Sequence, residues 1–147
     1  LVRPPAIFSI GYEGLVQSQL IDLLFASRVA LVLDVRAIAA SRKAGFSKRV
    51  LASSLQAAGI DYRHDRRLGT PKSGRQAARA GKTAEMAAIF STHLTTPEAI
   101  TGLADAVIAA QSTTLCLLCF ERAPHDCHRS ILAGMIRMKT GQDIRHL

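Results

Sequence analysis

Apolar and polar positions recur along this chain with two different periods, and the switches between them mark out strands and helices. Ala6 to Ile10 is a short apolar run closed by Gly11-Tyr12-Glu13-Gly14, as expected where a strand meets a turn. From Leu15 to Ser27 the spacing becomes helical, with Val16, Leu20, Leu23 and Leu24 on one face. Ala30-Leu31-Val32-Leu33 then runs without a polar residue up to Asp34-Val35-Arg36, which suits a strand buried on both faces of a parallel sheet. Ser47 is predicted to cap a second helix whose Leu51, Leu55 and Ala58 share a side and which Gly59 ends. Ile60 to Arg63 predicts a third strand, completing βαβαβ.

The stretch from His64 to Lys82 is polar, with Gly69, Thr70, Pro71, Ser73 and Gly74 as turn formers. It predicts an exposed basic loop, more mobile than the strands unless an anion binds it. Thr83 to Phe90 predicts a short helix. Thr96-Pro97-Glu98 is a helix start, after which Ile100, Leu103, Ala104 and Val107 have core-facing spacing. Thr114 to Phe120 predicts another strand, Asp126 a cap for a last helix to about Thr140, and Ile144 to Leu147 a short final strand. The expected fold class is α/β, a single three-layer domain over residues 1–147. Its sheet is mostly parallel, of about four to five strands flanked by helices.

At 147 residues the chain suits one core, and 48% hydrophobic with 20% charged residues argues against disorder. No run approaches the ~18 apolar residues of a membrane span, so no membrane partner is expected. The opening Leu1-Val2-Arg3-Pro4-Pro5 has no long apolar core behind it, which argues against a secretory leader. Three cysteines, an odd number, do not make a disulfide framework, so a cytoplasmic location is expected.

The net charge of +8 is concentrated. Between Arg42 and Lys82 stand 11 Lys/Arg against Asp61 and Asp65, a net of +9, so the remainder is nearly neutral. A block of this kind suits phosphates, on nucleic acid or on a small ligand, or else forms a solvated basic surface. Only Phe46 and Tyr62 interrupt it as aromatics, which disfavours a groove that stacks single-stranded bases.

Ligands of open parallel sheets bind beyond the carboxyl ends of the strands. Those ends carry Tyr12 and Glu13, then Asp34 and Arg36, then His64, then Cys119 and Glu121. Their convergence is the signal. Cys119 and Glu121 share a face of the strand, and Cys116 lies on the other, where core packing is its expected role. Cys127, His128 and Arg129 fall in the first turn of the last helix, where positive side chains oppose the helix dipole. Lys48 and Arg49 repeat the conflict behind Ser47, and a bound anion would resolve both. A thiol so placed is expected to be acidified and nucleophilic, with small buried filler as the alternative. A metal site at Cys119, Cys127 and His128 is disfavoured, since the spacing is no CxxC pair and adjacent residues rarely ligate one ion. No cofactor is predicted. A phosphatase loop is absent, because the position six after Cys119 is His125 and six after Cys127 is Ala133. Gly81-Lys82-Thr83 is no nucleotide P-loop, with Gln76 where the first glycine belongs.

Together, Gly11, Asp34-Val35-Arg36, Ser41-Arg42 with Gly45-Phe46-Ser47, Leu68-Gly69, and Cys119-x-Glu121 with Cys127-His128-Arg129 resemble the bacterial and archaeal "domain of unknown function 488" family (DUF488). The resemblance covers nearly the whole chain. It implies a single α/β domain whose Cys, Glu and Arg motifs suggest an enzyme, and it implies no substrate. Members often have proline shortly after Asp-Val-Arg, where this chain has Ala39 and Ala40, and a second glycine after Leu-Gly, where it has Thr70.

The resulting expectation is a small enzyme acting on a phosphate-bearing substrate, a nucleotide or nucleic acid. Arg36, Arg42 and Arg129, with Gly11 for close approach, would bind phosphate. Glu121 would be general acid or base, Cys127 or Cys119 the nucleophile or redox centre, and Asp34 the orienter of an arginine or histidine. Tyr12, Glu13, His64 and His128 would support them. A non-catalytic nucleic-acid-binding module using residues 42–82 is the alternative, and a metal-binding or redox protein a weaker one.

Overall fold

The computed structural model describes residues 6–147. Residues 1–5, the basis of the expectation about a leader, lie outside it. Five strands form one sheet: β1 (Ala6–Gly11), β2 (Leu31–Asp34), β3 (Asp61–His64), β4 (Leu115–Cys119) and β5 (Asp143–His146). The helices are α1 (Gln17–Ala26), α2 (Lys48–Ala57), α3 (Lys72–Arg79), α4 (Thr83–His93), α5 (Pro97–Ser112) and α6 (His128–Thr140). The spatial order is β3-β2-β4-β1-β5, and every pairing is parallel. The expected α/β architecture is the one observed. No helix of the described residues is long and apolar enough to cross a membrane.

This order follows from connection handedness. The crossovers from β1 to β2 and from β2 to β3 run one way along the sheet, and those from β3 to β4 and from β4 to β5 run the other way. Right-handed crossovers then place α1 and α2 on one face and α5 and α6 on the opposite face. The two cores match. Leu20, Leu24, Leu51 and Leu55 pack with Phe8, Ile10, Val32, Cys116 and Leu118. Met86, Phe90, Leu103, Leu132 and Ile136 pack with Leu31, Leu33, Leu115, Leu117 and Cys119. Cys116 and Cys119 therefore face opposite layers, as the alternation of β4 requires.

Three local expectations are corrected. The 64–82 stretch is not an exposed loop: a 3-10 turn spans Arg66–Leu68, α3 follows, and Leu68, Gly69, Thr70, Gly74 and Ala77 are buried. On α5 the buried stripe is Ala99, Gly102, Leu103, Ala106, Ala109 and Ala110, while Ile100 and Ala104 are exposed. Small residues face inward there because the helix lies close to the 66–68 turn; a Cβ on Gly102 would come within 3.2 Å of Leu68. Asp126 does not cap α6. It ends a 3-10 turn over Pro124–Asp126, and Cys127 holds the N-cap position.

The tightest backbone approach lies between β1 and the segment after β4. A Cβ on Gly11 would overlap the carbonyl of Glu121, whereas a Cβ on Gly14 (φ +78°) would meet nothing. Gly11→Ala should therefore cost about 2–3 kcal/mol as forced overpacking. Gly14→Ala should cost only the ~1–2 kcal/mol of a left-handed alanine. Urea unfolding midpoints of the two variants check this; equal losses would contradict the close approach.

Candidate active site

Adjacent strands β2 and β4 send their chains in opposite directions, toward β3 and toward β5, so a crevice opens beyond their carboxyl ends. A cleft of about 660 Å³ occupies it, a size suited to a small molecule. Tyr12 and Glu13 after β1, Arg36 and Ile38 after β2, and Cys119 and Glu121 at the end of β4 line it, with His128 of α6 and Arg75 and Arg79 of α3. Tyr12 is fixed by stacking on Phe46 at 4.4 Å between centroids and by an edge contact from Phe120. Glu13 accepts the Arg122 backbone N–H at 3.0 Å.

Behind the cleft, Asp34 is fully buried and meets Arg36 in a two-pronged pair: Nε donates at 2.9 Å and Nη2 at 2.7 Å. Nη1 donates to the Tyr12 hydroxyl and to the Phe46 carbonyl, and the Tyr62 hydroxyl donates to Asp34. Burial alone would weaken the Arg36 charge, but the Asp34 hydrogen bonds and charge outweigh it and raise its pKa. The Tyr62 phenol is pushed up by burial and by the same carboxylate. Four of the five N–H groups of Arg36 are committed, so it fixes the loop and is poorly placed to grip phosphate. Asp34 does orient an arginine, as expected, but it is sealed from the cleft and cannot touch a substrate.

Arg129 departs furthest from expectation. It is fully buried. Its guanidinium donates to the carbonyls of Glu121 (2.5 Å) and Arg122 (3.2 Å) and to Ser9 Oγ (3.2 Å). The apparent conflict with the α6 dipole is thus resolved by carbonyl oxygens and not by an anion, because the side chain folds back to the end of β4. Arg42 is exposed and lies outside the cleft lining, as do Lys48 and Arg49. His64 also lies outside it, with Nε2 donating to the Arg36 carbonyl at 2.7 Å. Gly11 sits under the cleft, where its value is the close approach described above.

The chemistry concentrates at the floor. The sulfurs of Cys119 and Cys127 and Nδ1 of His128 lie within 4.8 Å of one another. Each sulfur is 3.8 Å from Nδ1, and Cys119 Sγ is 3.6 Å from Glu121 Oε2. The other ring nitrogen, Nε2, faces the Val35 carbonyl at 2.8 Å. A carbonyl only accepts, so Nε2 carries a proton and Nδ1 is the ring nitrogen that faces the sulfurs. The edge of the ring against Phe90, 4.9 Å between centroids, fixes its plane. Adjacent residues converge here because Cys127 is extended (φ −129°, ψ 141°) and His128 begins the helix. The objection that neighbours cannot share one centre does not hold across such a break.

Electrostatics separate the groups. Burial pushes the Cys127 thiol up, but a hydrogen bond from Cys119 and the charges of His128 and Arg129 outweigh it and hold it well below the usual thiol range. That hydrogen bond, burial and the Cys127 charge push Cys119 up. Burial lowers His128, yet Cys127 and the Val35 carbonyl win and raise it. Burial and the Cys127 charge raise Glu121 to about 7. Cys119, His128 and Arg129 thus acidify Cys127, without capping by Asp126. It is also only 1% exposed and does not line the cleft, whereas Cys119 (6%) and Glu121 do. Direct attack by Cys127 on a substrate is therefore unsupported by the geometry.

Arg75 and Arg79 were not anticipated. They belong to α3, hidden in the sequence by Pro71, Ser73 and Gly74, although Arg75-Gln76-Ala77-Ala78-Arg79 is a strong helix former. Arg75 donates one N–H to the Thr70 carbonyl at 2.8 Å, and Arg79 makes no ion pair among the described residues. Thr70 and Ala40, two positions where the resemblance leads one to expect glycine and a nearby proline, both line the cleft.

The family model described as "Domain of unknown function DUF488" matches residues 17–136. No curated protein and no solved structure matches the chain.

The Asp34–Arg36 pair yields a direct expectation. Asp34→Asn leaves a buried guanidinium without its counter-charge and should destabilise the fold by about 3–5 kcal/mol. Arg36→Lys, which cannot span both carboxylate oxygens, should also be destabilising. Urea unfolding of both variants tests this, and a change under ~1 kcal/mol for Asp34→Asn would contradict the pairing.

Proposed function

The chain belongs to the DUF488 family, whose description names no activity, and from that premise we propose that it is an enzyme acting on a small phosphate-bearing substrate at the carboxyl edge of its sheet. One observation carries the reading: a single cleft joins the cationic side chains of Arg75 and Arg79 on α3 to the Glu121 carboxyl and the Cys119 sulfur after β4. The arginines suit the anionic end of a ligand. Glu13, Glu121 and Asp126 suit hydrogen-bond donors on its remainder, and Tyr12, Ile38 and Phe120 give flat apolar contact. A molecule with a phosphate, a donor-bearing body and an apolar face, as a nucleotide has, meets all three demands.

Within this reading Glu121 is the general acid or base, since its carboxyl faces the cleft beside the sulfur–imidazole cluster. Arg36, Arg129 and Asp34 act by position only. They hold the loops after β2 and β4 at the spacing the cleft requires. The basic 42–82 segment divides in function. Arg75 and Arg79 serve the cleft, while Arg67 is paired with Asp65 at 2.7 Å and Asp105 at 2.9 Å.

Turnover measured over a panel of phosphomonoesters, phosphodiesters and nucleotides tests the proposal. Arg75→Ala and Arg79→Ala should each raise KM about tenfold, the worth of a charge-assisted hydrogen bond. Glu121→Gln should lower kcat by roughly 100-fold or more with KM little changed. The opposing outcome is no turnover of any panel member together with polynucleotide binding that falls steeply with salt and ignores Glu121→Gln. That pattern would mark a non-catalytic nucleic-acid-binding module and overturn the enzyme reading.

A further inference from the structure

We propose that Cys119 Sγ, Cys127 Sγ and His128 Nδ1 form a three-ligand site for a thiophilic divalent cation of the zinc class, with its fourth position open to the cleft. The inference goes beyond the enzyme reading and stands without it, because it concerns the cluster and not the substrate.

The argument begins with distances. A tetrahedral ion bound at ~2.3 Å to sulfur and ~2.0–2.1 Å to nitrogen holds sulfur and nitrogen about 3.6 Å apart. Both sulfurs already stand 3.8 Å from Nδ1, and all three atoms lie within 4.8 Å of one another. The sulfur–nitrogen distances need shifts of a few tenths of an ångström, and the two sulfurs, about 3.8 Å apart in such a site, would close by at most about 1 Å.

The imidazole is oriented as a ligand must be. Metal-bound histidines donate their other N–H to a carbonyl or carboxylate, which fixes ring and tautomer. Here Nε2 donates to the Val35 carbonyl at 2.8 Å, leaving Nδ1 as the ring nitrogen that faces the sulfurs. A histidine packed merely as filler would not need Nδ1 aimed at two thiols.

The fourth direction is also defined. Cys119 and His128 line the cleft, while Cys127 lies behind them, so the uncovered side of the cluster is the cleft side. Sites closed by four protein ligands are structural, and those with three leave a position for water or substrate. Glu121 Oε2, 3.6 Å from Cys119 Sγ, stands beside that position. Two thiolates and an imidazole favour zinc-class ions over magnesium or calcium, which take oxygen ligands.

The test uses the full chain, reduced with a non-thiol reductant and titrated with Co(II), then with Zn(II) as competitor. One Co(II) per chain should bind, with an intense sulfur-to-cobalt charge-transfer band and the visible bands of a tetrahedral site, all abolished by Zn(II). Cys119→Ser and Cys127→Ser should each weaken binding more than ~100-fold, beyond the cost of losing an outer hydrogen-bond partner. Cys116→Ser, on the other face of β4, should bind as the wild type does. X-ray absorption of the zinc-loaded wild type, which needs no variant to fold, should show two sulfur neighbours and one imidazole. No stoichiometric uptake by the reduced chain, or a charge-transfer band that survives in both Cys119→Ser and Cys127→Ser, overturns the site. The enzyme reading fails separately, through the phosphate-ester panel and Arg79→Ala.

Discussion

The contact on which this structure depends is the buried guanidinium of Arg129. It reaches from the first turn of α6 to Ser9 on β1 and to the carbonyls of Glu121 and Arg122 beyond β4. No carboxylate pairs with it among the described residues, so it carries a desolvation cost that backbone carbonyls and a hydroxyl only partly offset. What it achieves is positional. Three carbonyl and hydroxyl acceptors from two strands are tied to one helix, and the segment between β4 and α6 is folded tightly over Gly11. That tie acts together with the His128 bond to the Val35 carbonyl in returning Cys127 and His128 to the side of Cys119.

A second buried arginine does the same for the neighbouring strand. Arg36 grips Asp34 and reaches Tyr12 after β1 and the Phe46 carbonyl ahead of α2. The two clamps flank the divergence of β2 and β4, where chain direction alone leaves an unfilled crevice. Each replaces apolar packing by directed hydrogen bonds at a place where the strand ends leave polar groups that need partners. The result is a cleft whose floor is rigid and whose rim is built by a separate element, α3.

The legible part of the sequence was the part governed by period. Apolar runs identified β1, β2 and β4, with Ser9 the one polar residue inside β1, and the alternation along β4 put Cys119 with Glu121 and set Cys116 apart. Polar residues at four strand ends pointed to the edge of the sheet where the cleft lies. What escaped was decided by partners distant in the chain. Nothing local distinguishes Arg129, whose N–H groups meet carbonyls, from Arg79, whose side chain lines a cleft. Turn formers at Pro71, Ser73 and Gly74 outweighed the helix-forming run that follows them. On α5, large residues drew attention away from the small ones that a close crossing demands. Adjacency argues against Cys127 and His128 sharing a centre only on a regular element, and the chain changes conformation between the two.

Charge explains why such a cluster is tolerable in a buried place. The shifts favour thiolate on Cys127 and the charged form of His128 while favouring the thiol on Cys119, a combination in which the three groups are neutral together. A dication bound by two thiolates and a neutral imidazole also sums to zero. Exchanging two protons for one ion therefore changes no net charge beneath the cleft, and the large penalty for burying an isolated charge does not arise. The fixed positive charge of Arg129 nearby favours thiolate in both states, which moderates the proton competition that would otherwise oppose metal binding near neutral pH. The guanidinium that folds the β4–α6 segment thus also sets the potential in which its sulfurs work, so position and reactivity at this site have one physical origin.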